Sequence, residues 1–358
     1  MSKVLMKGNE AFGEAAIRAG CNCYFGYPIT PQNEIPEYMS HELPKAGGAF
    51  LQAESELAAV SMAYGAAASG GRAFISTSSP GLSLMQEGLG FICSAEVPLV
   101  ALNVSRGGPG VGGIQPGQAD YIQVTRGGYN GDAKIPVFAP AGIQECVDLI
   151  YEAFEIADKY RNPVLIFADG MMGQMMEPVE LPEKREIVPA EKISELKPWA
   201  ITGKDNHPGR NVIYSLRMEP NVLEEHVEHL FDKYAEAERE LVRYKTQGLE
   251  DAEIVFVAFG TMSRLCAEAI ELLEEQGIKA GLIRPISLWP FPKQAFDEIG
   301  PKTKLVISTE LSMGQMIDDI RLAVMNRWPV GLINRTGGIV PSSLEIVERA
   351  KKLLEGVK

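Results

Sequence analysis

Four short stretches of this chain carry residue types and spacings suited to chemistry. In Pro28-Ile29-Thr30-Pro31 and in Ser78-Ser79-Pro80, a hydroxyl residue precedes a proline just after a strand-like run. Thr30 and Ser79 are each suited to be a helix N-cap, with Pro31 and Pro80 at the first helical position. If both strands belong to one parallel sheet, both helix N-termini open at its carboxyl edge, where ligands bind in open α/β sheets. Free N–H groups there favour an anionic or polar ligand. Plain helix capping is the bland reading of either junction alone; two at one edge suggest a pocket.

The third stretch is Ser105-Arg106-Gly107-Gly108-Pro109-Gly110-Val111-Gly112-Gly113. Arg106 leaves a strongly apolar strand at the same edge, where a guanidinium could grip a carboxylate through a bidentate pair. Its bland reading is a surface arginine. Gly108, Gly110 and Gly113 formally match G-x-G-x-x-G, but a dinucleotide fingerprint must open a helix, and Ile114-Gln115-Pro116-Gly117 breaks one. The fourth stretch, Glu54-Ser55-Glu56, begins an Ala-rich helix. Two acids in a first turn ordinarily complement the helix dipole. The following LAAVSMAYGAAA is apolar nearly all round, which predicts a buried helix. An acid entering a buried helix is costly without a partner. Glu56 is therefore a functional candidate, and Glu54 defaults to a helix-entry acid.

Helix and strand alternate over the first 185 residues. The patterns predict a helix from Asn9, as its cap, to Ala19, stopped by Gly20, and strands over 21–27, 72–78, 97–104 and 164–168. Helices are predicted over 55–68 and 143–160. Strands separated by helices imply a parallel sheet covered on both faces. Residues 177–209 are rich in proline and charge and read as a linker. Residues 221–247 read as one long helix packing on its own domain, with packing on a partner subunit as the alternative. The last 108 or so residues predict a second doubly wound unit, with strands over 254–259, 280–283, 305–308 and 330–333 and helices over 263–276, 316–327 and 342–354.

Composition sets outer limits. A chain of 358 residues predicts about two domains. The formal net charge of −13 disfavours nucleic acid and anionic membranes, because phosphate binding needs clustered cations. With 46% hydrophobic and 23% charged residues, the chain is ordinary globular material. No apolar stretch approaches the ~20 residues of a membrane span. No secretory h-region is visible in MSKVLMKGNEAFGEAA. Cys21, Cys23, Cys93, Cys146 and Cys266 form no CxxC, so nothing resembles an iron–sulfur or zinc site, and reduced thiols in a cytoplasm are expected. Cys21 and Cys23 read as a buried pair. His226 and His229, at i and i+3, read as the solvated face of a helix rather than half a metal site.

GYPITPQNEIPEYM, LQAESELAAVSMAYGAA, SSPGLSLMQEGL, NVSRGGPGVGGIQPGQADY and DKYRNPVLIFADG occur in this order. Together they resemble the α-type subunit of 2-oxoacid:ferredoxin oxidoreductases over nearly the whole chain. The chain is most similar to the branch acting on branched-chain 3-methyl-2-oxobutanoate (2-oxoisovalerate), with the 2-oxoglutarate and pyruvate branches as competitors. The resemblance implies an α/β fold: a thiamine-diphosphate-binding-fold pyrimidine domain, with a parallel sheet and helices on both faces, over 1–185. A linker and long helix over 186–250 and a transketolase C-terminal-like α/β domain over 251–358 follow.

The implied reaction converts a 2-oxo acid, coenzyme A and oxidised ferredoxin into acyl-CoA, carbon dioxide and reduced ferredoxin. By the motif match, Glu56 resembles the glutamate that hydrogen-bonds N1′ of the thiamine aminopyrimidine. A carboxylate there favours the imino tautomer, whose N4′ can take the thiazolium C2 proton. Thr30 resembles the threonine facing the substrate, and Arg106 the arginine that binds its carboxylate or carbonyl. Pro28, Ile29, Thr30, Ser79 and Pro80 line the implied cofactor site. The diphosphate also needs Mg2+, usually through Gly-Asp-Gly followed ~30 residues later by Asn. Gly131-Asp132-Ala133 with Asn162 is rejected for that role, because Asp132 does not end an apolar strand. The resemblance thus implies a thiamine-diphosphate/Mg-domain partner subunit, a γ-type subunit and an iron–sulfur, ferredoxin-like subunit. The alternatives are a nucleotide-binding regulatory α/β protein, supported only by the glycine loop, and a solitary thiamine-dependent decarboxylase.

Overall fold

The computed structural model describes residues 3–203 and 211–357. Within 177–209, residues 204–209 lie outside the described residues. The larger sheet has seven strands in the order Ser287–Trp289, Val137–Phe138, Pro163–Asp169, Leu99–Ser105, Ala73–Thr77, Cys23–Gly26 and Ala49–Gln52. All neighbours are parallel except the first pair. Leu99–Ser105 and Pro163–Asp169 are buried at every position, as central parallel strands with both faces covered must be.

Helix Ile143–Tyr160 spans the residues its periodicity predicts. It turns Ile143, Val147, Ile150, Phe154 and Ala157 inward, and Arg161 ends it in the left-handed conformation. The first helix runs Gly8–Arg18, with Gly20 at φ +84° behind it. Asn9 is not its cap. The side chain is buried and donates to Pro31 O at 2.8 Å and Glu34 Oε2 at 2.7 Å, tying this helix to the loop after Cys23–Gly26.

The second sheet runs Val330–Asn334, Leu305–Glu310, Ile254–Val257, Ala280–Pro285 and Tyr244–Gln247, parallel but for the last strand. The predicted helix over 221–247 is therefore shorter. It spans Pro220–Glu240, and Tyr244–Gln247 is instead an edge strand. The alternating Tyr244-Lys245-Thr246 suits a strand once an open edge, Ala280–Pro285, is there to pair with it. The helix packs on its own chain through Leu230, Tyr234 and Ala237. His229 is exposed, as the solvated reading has it, and meets Glu96 Oε1 at 3.0 Å, whereas His226 is half-buried against Ser94 O at 2.8 Å.

Two other expectations change. The Ala-rich helix Glu56–Ala68 is only half buried, because among the described residues nothing covers its outer face, where Leu57 is 48% exposed. Of the two cysteines, Cys21 is fully buried and Cys23 partly so. Burial pushes the Cys93 and Cys266 thiols up to about 12, so both are neutral packing groups.

The two sheets are joined by a dense seam. Gln118 donates to Phe259 O at 3.0 Å and accepts from Leu311 N at 3.0 Å. Tyr121 donates to Asp319 Oδ2 at 2.7 Å, and Arg284 grips Glu145 with bonds of 2.6 and 2.7 Å. Gln118 is buried, so truncating it leaves polar groups of Phe259 and Leu311 without partners. The Gln118→Ala variant should lose about 2 kcal/mol or more of stability. A thermal unfolding midpoint equal to that of the parent chain would contradict this account of the seam.

Candidate functional site

The carboxyl ends of the parallel strands converge as the sequence anticipates, but the local geometry differs. The loop after Cys23–Gly26 does not enter a helix at Thr30. The helix begins at Glu34, and residues 28–33 form a loop in which Ile29 O accepts from Gln32 N at 3.1 Å. Thr30 is thus not a cap. Its carbonyl and hydroxyl are taken by Arg106, while Pro31 O accepts from Asn9 and from Gln174, both at 2.8 Å. Side-chain donors from three other segments hold this loop in place of helical bonds. Pro28 forms its exposed start.

Arg106 is 7% exposed. One guanidinium nitrogen donates to Thr30 O at 2.7 Å and Thr30 Oγ1 at 3.1 Å; the other donates to Val111 O at 2.8 Å. Its Nε is buried without a partner. An arginine in this setting is no surface residue. It clamps the Thr30 loop against the glycine loop and retains one unused donor. The glycine loop folds back on itself through Gly107 N to Gln115 O and Gly113 N to Gly107 O, both 2.8 Å, and opens no helix. A Cβ at Gly112, φ +61°, would lie 1.8 Å from Gly107 O, so this turn needs glycine.

Helix Ser79–Ser94 starts one residue earlier than the N-cap reading of Ser79. Ser78 is the cap position, and Pro80 lies in the first turn. Ser79 is freed for a different task. Its hydroxyl donates to Asp120 Oδ2 at 2.6 Å and accepts from Arg106 N at 3.0 Å. Asp120 Oδ2 also accepts from Asn103 at 2.8 Å and Ser105 at 2.9 Å. Sequence reasoning missed Asp120. The only available signal was an acid following a strand-breaking loop, which many surface acids share.

The same helical turn meets Glu56. Glu56 is 3% exposed, and the only hydrogen bond to its carboxylate among the described residues is a long one, 3.4 Å, from Thr77. Ser55, not Glu56, caps the helix, accepting from Ala58 N at 3.2 Å. Gly81 makes room for the acid: a Cβ there would stand 2.1 Å from both Glu56 Oε1 and Thr77 Oγ1. Glu54 is exposed, as a helix-entry acid should be. The structure therefore brings Thr30, Arg106 and Ser79 into one hydrogen-bonded group and sets Glu56 beside it through the Ser79–Gly81 turn. Asn162 is buried and donates to Lys134 O at 2.9 Å, a structural use.

This architecture and site define a two-part α/β protein with its polar cluster at the carboxyl edge of a parallel sheet. Residues 14–245 match the thiamine-diphosphate-binding family of pyruvate flavodoxin/ferredoxin oxidoreductases, and residues 252–346 match core domain II of pyruvate:ferredoxin oxidoreductase. The chain belongs to this 2-oxoacid oxidoreductase family. It is 44% identical to the ketoisovalerate oxidoreductase subunit VorB of Methanothermobacter marburgensis, over 99% of this chain and 98% of that one. It is 39% identical to the 2-oxoglutarate synthase subunit KorA of Archaeoglobus fulgidus, over 89% and 91% of the two chains. Among solved structures, the 2-oxoglutarate:ferredoxin oxidoreductase of Magnetococcus marinus superposes with a TM-score of 0.86 at 26% identity. That match covers 99% of this chain and 65% of the other, so this chain spans just under two thirds of it. The relatives are named as subunits, and this chain is accordingly one subunit of a multi-subunit oxidoreductase.

The close packing of Glu56 on Gly81 generates a direct test. A methyl group in Gly81→Ala would drive the carboxylate out of position. Thiamine diphosphate affinity of the assembled enzyme, read by calorimetric titration, should fall at least tenfold with the subunits still assembled. Unchanged affinity would show that Glu56 and Gly81 do not shape the cofactor site.

Proposed function

We propose that this chain supplies the pyrimidine side of the active site in a 2-oxoacid:ferredoxin oxidoreductase acting on a branched-chain 2-oxo acid, 3-methyl-2-oxobutanoate. The observation that carries the reading is Glu56: a buried carboxylate with one long hydrogen bond, packed so closely on residue 81 that only glycine fits there. Burying an acid with so few partners is costly unless a ligand completes it. An aminopyrimidine nitrogen is a fitting partner, because a carboxylate hydrogen-bonded to N1′ stabilises a proton there and so favours loss of one from the exocyclic amine. Thiamine diphosphate, held there by Glu56, would supply a nucleophilic carbon and an electron sink for decarboxylation.

The chain's own residues divide the remaining work. Glu56 holds a proton at the pyrimidine. Arg106 offers a preformed positive charge to the oxo acid, and Thr30, fixed by Arg106, places a hydroxyl beside it. Ser79 and Pro80 set the helix turn that carries Gly81, and Pro28 and Ile29 begin the loop that carries Thr30. The overall reaction yields acyl-CoA, carbon dioxide and reduced ferredoxin.

Magnesium and the diphosphate belong, in this reading, to a partner subunit with a thiamine-diphosphate/Mg domain. Iron–sulfur clusters belong to a ferredoxin-like subunit, with a γ-type subunit completing the assembly. The outer face of Glu56–Ala68 and its neighbour Ser79–Ser94 supports such a partner: Leu57, Leu84 and Phe91 are 48%, 53% and 40% exposed on these two helices.

Two variants test the assignments in the reconstituted complex. Glu56→Ala should lower ferredoxin reduction by roughly 10²–10⁴-fold or more, the worth of a positioned proton-transfer group. Near-parental activity would remove Glu56 from the chemistry. Arg106→Ala should raise KM for the oxo acid; a change confined to coenzyme A would contradict its role. The substrate itself is read by comparing kcat/KM for 3-methyl-2-oxobutanoate, pyruvate and 2-oxoglutarate, with the branched acid expected first.

A further inference from the structure

Thr30 has two sides. One is held by Arg106; the other helps to line a cavity of about 550 Å³ between the Thr30 loop, the end of the glycine loop and the short helix Gly170–Gln174. Pro31, Ile114, Pro116, Met171 and Met175 give it apolar walls. None of its lining residues is Lys or Arg. The charged residue among them is acidic: Glu34, which accepts from Lys7 at 2.5 Å, Asn9 at 2.7 Å and Gln174 at 3.1 Å. These bonds pair Lys7 with Glu34. Arg264, which touches Met175 Sδ at 3.8 Å, is likewise paired, with Glu177 at 2.8 Å.

We infer that this cavity takes the side chain of the 2-oxo acid and that Ile114 and Met171 set its preference for an uncharged aliphatic group over one ending in a second carboxylate. The inference rests on the proposed head-group site at Arg106 and Thr30. A short oxo acid anchored there cannot extend far, and the cavity begins at Thr30 itself. Aliphatic groups gain by leaving water for Ile114, Pro116 and the methionines. A distal carboxylate would lose its hydration beside Glu34, with no Lys or Arg among the cavity's lining residues to receive it, the arrangement that costs most. Discrimination then comes from rejection as well as from fit.

The test uses the assembled complex with two variants. Ile114 is 58% exposed on a loop, so Ile114→Arg adds a cation without disturbing the core. It should raise kcat/KM for 2-oxoglutarate relative to 3-methyl-2-oxobutanoate at least tenfold. Met171→Ala enlarges the wall and should raise kcat/KM for 4-methyl-2-oxopentanoate relative to 3-methyl-2-oxobutanoate by about tenfold, the lower end of what one methylene commands. If the parent complex is active and neither ratio moves, the side chain does not lie here. A change only in KM for coenzyme A would overturn the inference by giving the cavity to the thiol substrate. A parent complex inactive on every 2-oxo acid would instead overturn the functional reading on which the inference stands.

Discussion

The burial of one under-partnered carboxylate organises this molecule's functional edge. Glu56 enters a helix in a nearly water-free setting, with a 3.4 Å contact from Thr77 as its hydrogen bond. The fold tolerates this because neighbouring groups are arranged around the acid and not against it. Gly81 brings no side chain against the carboxylate, and Ser55 takes over the capping task that would otherwise engage the first turn. The next shell is tightly bonded: Asp120 gathers Ser79, Asn103 and Ser105, and Ser79 in turn receives the backbone N–H of Arg106. A loosely held acid beside a rigid frame is a preorganised site, since the frame does not reorganise when the acid finds its partner.

The parallel sheet supplies the frame. Because each strand returns through a helix, every strand end meets the same edge, and segments far apart in sequence become neighbours there. Thr30 and Arg106 are 76 positions apart, yet one guanidinium nitrogen binds both the carbonyl and the hydroxyl of Thr30. The second unit contributes at a distance. Its contacts with Gln118, Ala119 and Tyr121 fix the segment that carries Asp120, so the seam between the sheets and the polar cluster at the sheet edge share one stretch of chain.

Much of this was legible in the sequence, for identifiable reasons. Helix Ile143–Tyr160 follows its 3.6-residue period because one face meets the sheet and the other meets water. Arg106 was placed at the edge because it follows an unbroken apolar strand. Three features were not legible. Thr30 and Ser79 look like caps, but tertiary donors and acceptors outcompete the local capping bonds, and no local pattern reports Arg106 or Asp120 as their partners. Residues 244–247 read as helix because only an available sheet edge makes them a strand. The outer face of Glu56–Ala68 reads as buried because its composition answers to an apolar neighbour; among the described residues that face is open. In each case the deciding group lies far away in sequence.

The central claim is that Glu56 faces the pyrimidine of thiamine diphosphate across a subunit boundary. The most direct measurement is a structure of the assembled complex with the cofactor bound. The account predicts a Glu56 carboxylate oxygen within hydrogen-bond distance of N1′, about 2.6–3.0 Å, with the diphosphate and magnesium held by the partner subunit. A pyrimidine bound elsewhere, or a Glu56 carboxylate still facing only Thr77 with the cofactor in place, would contradict it.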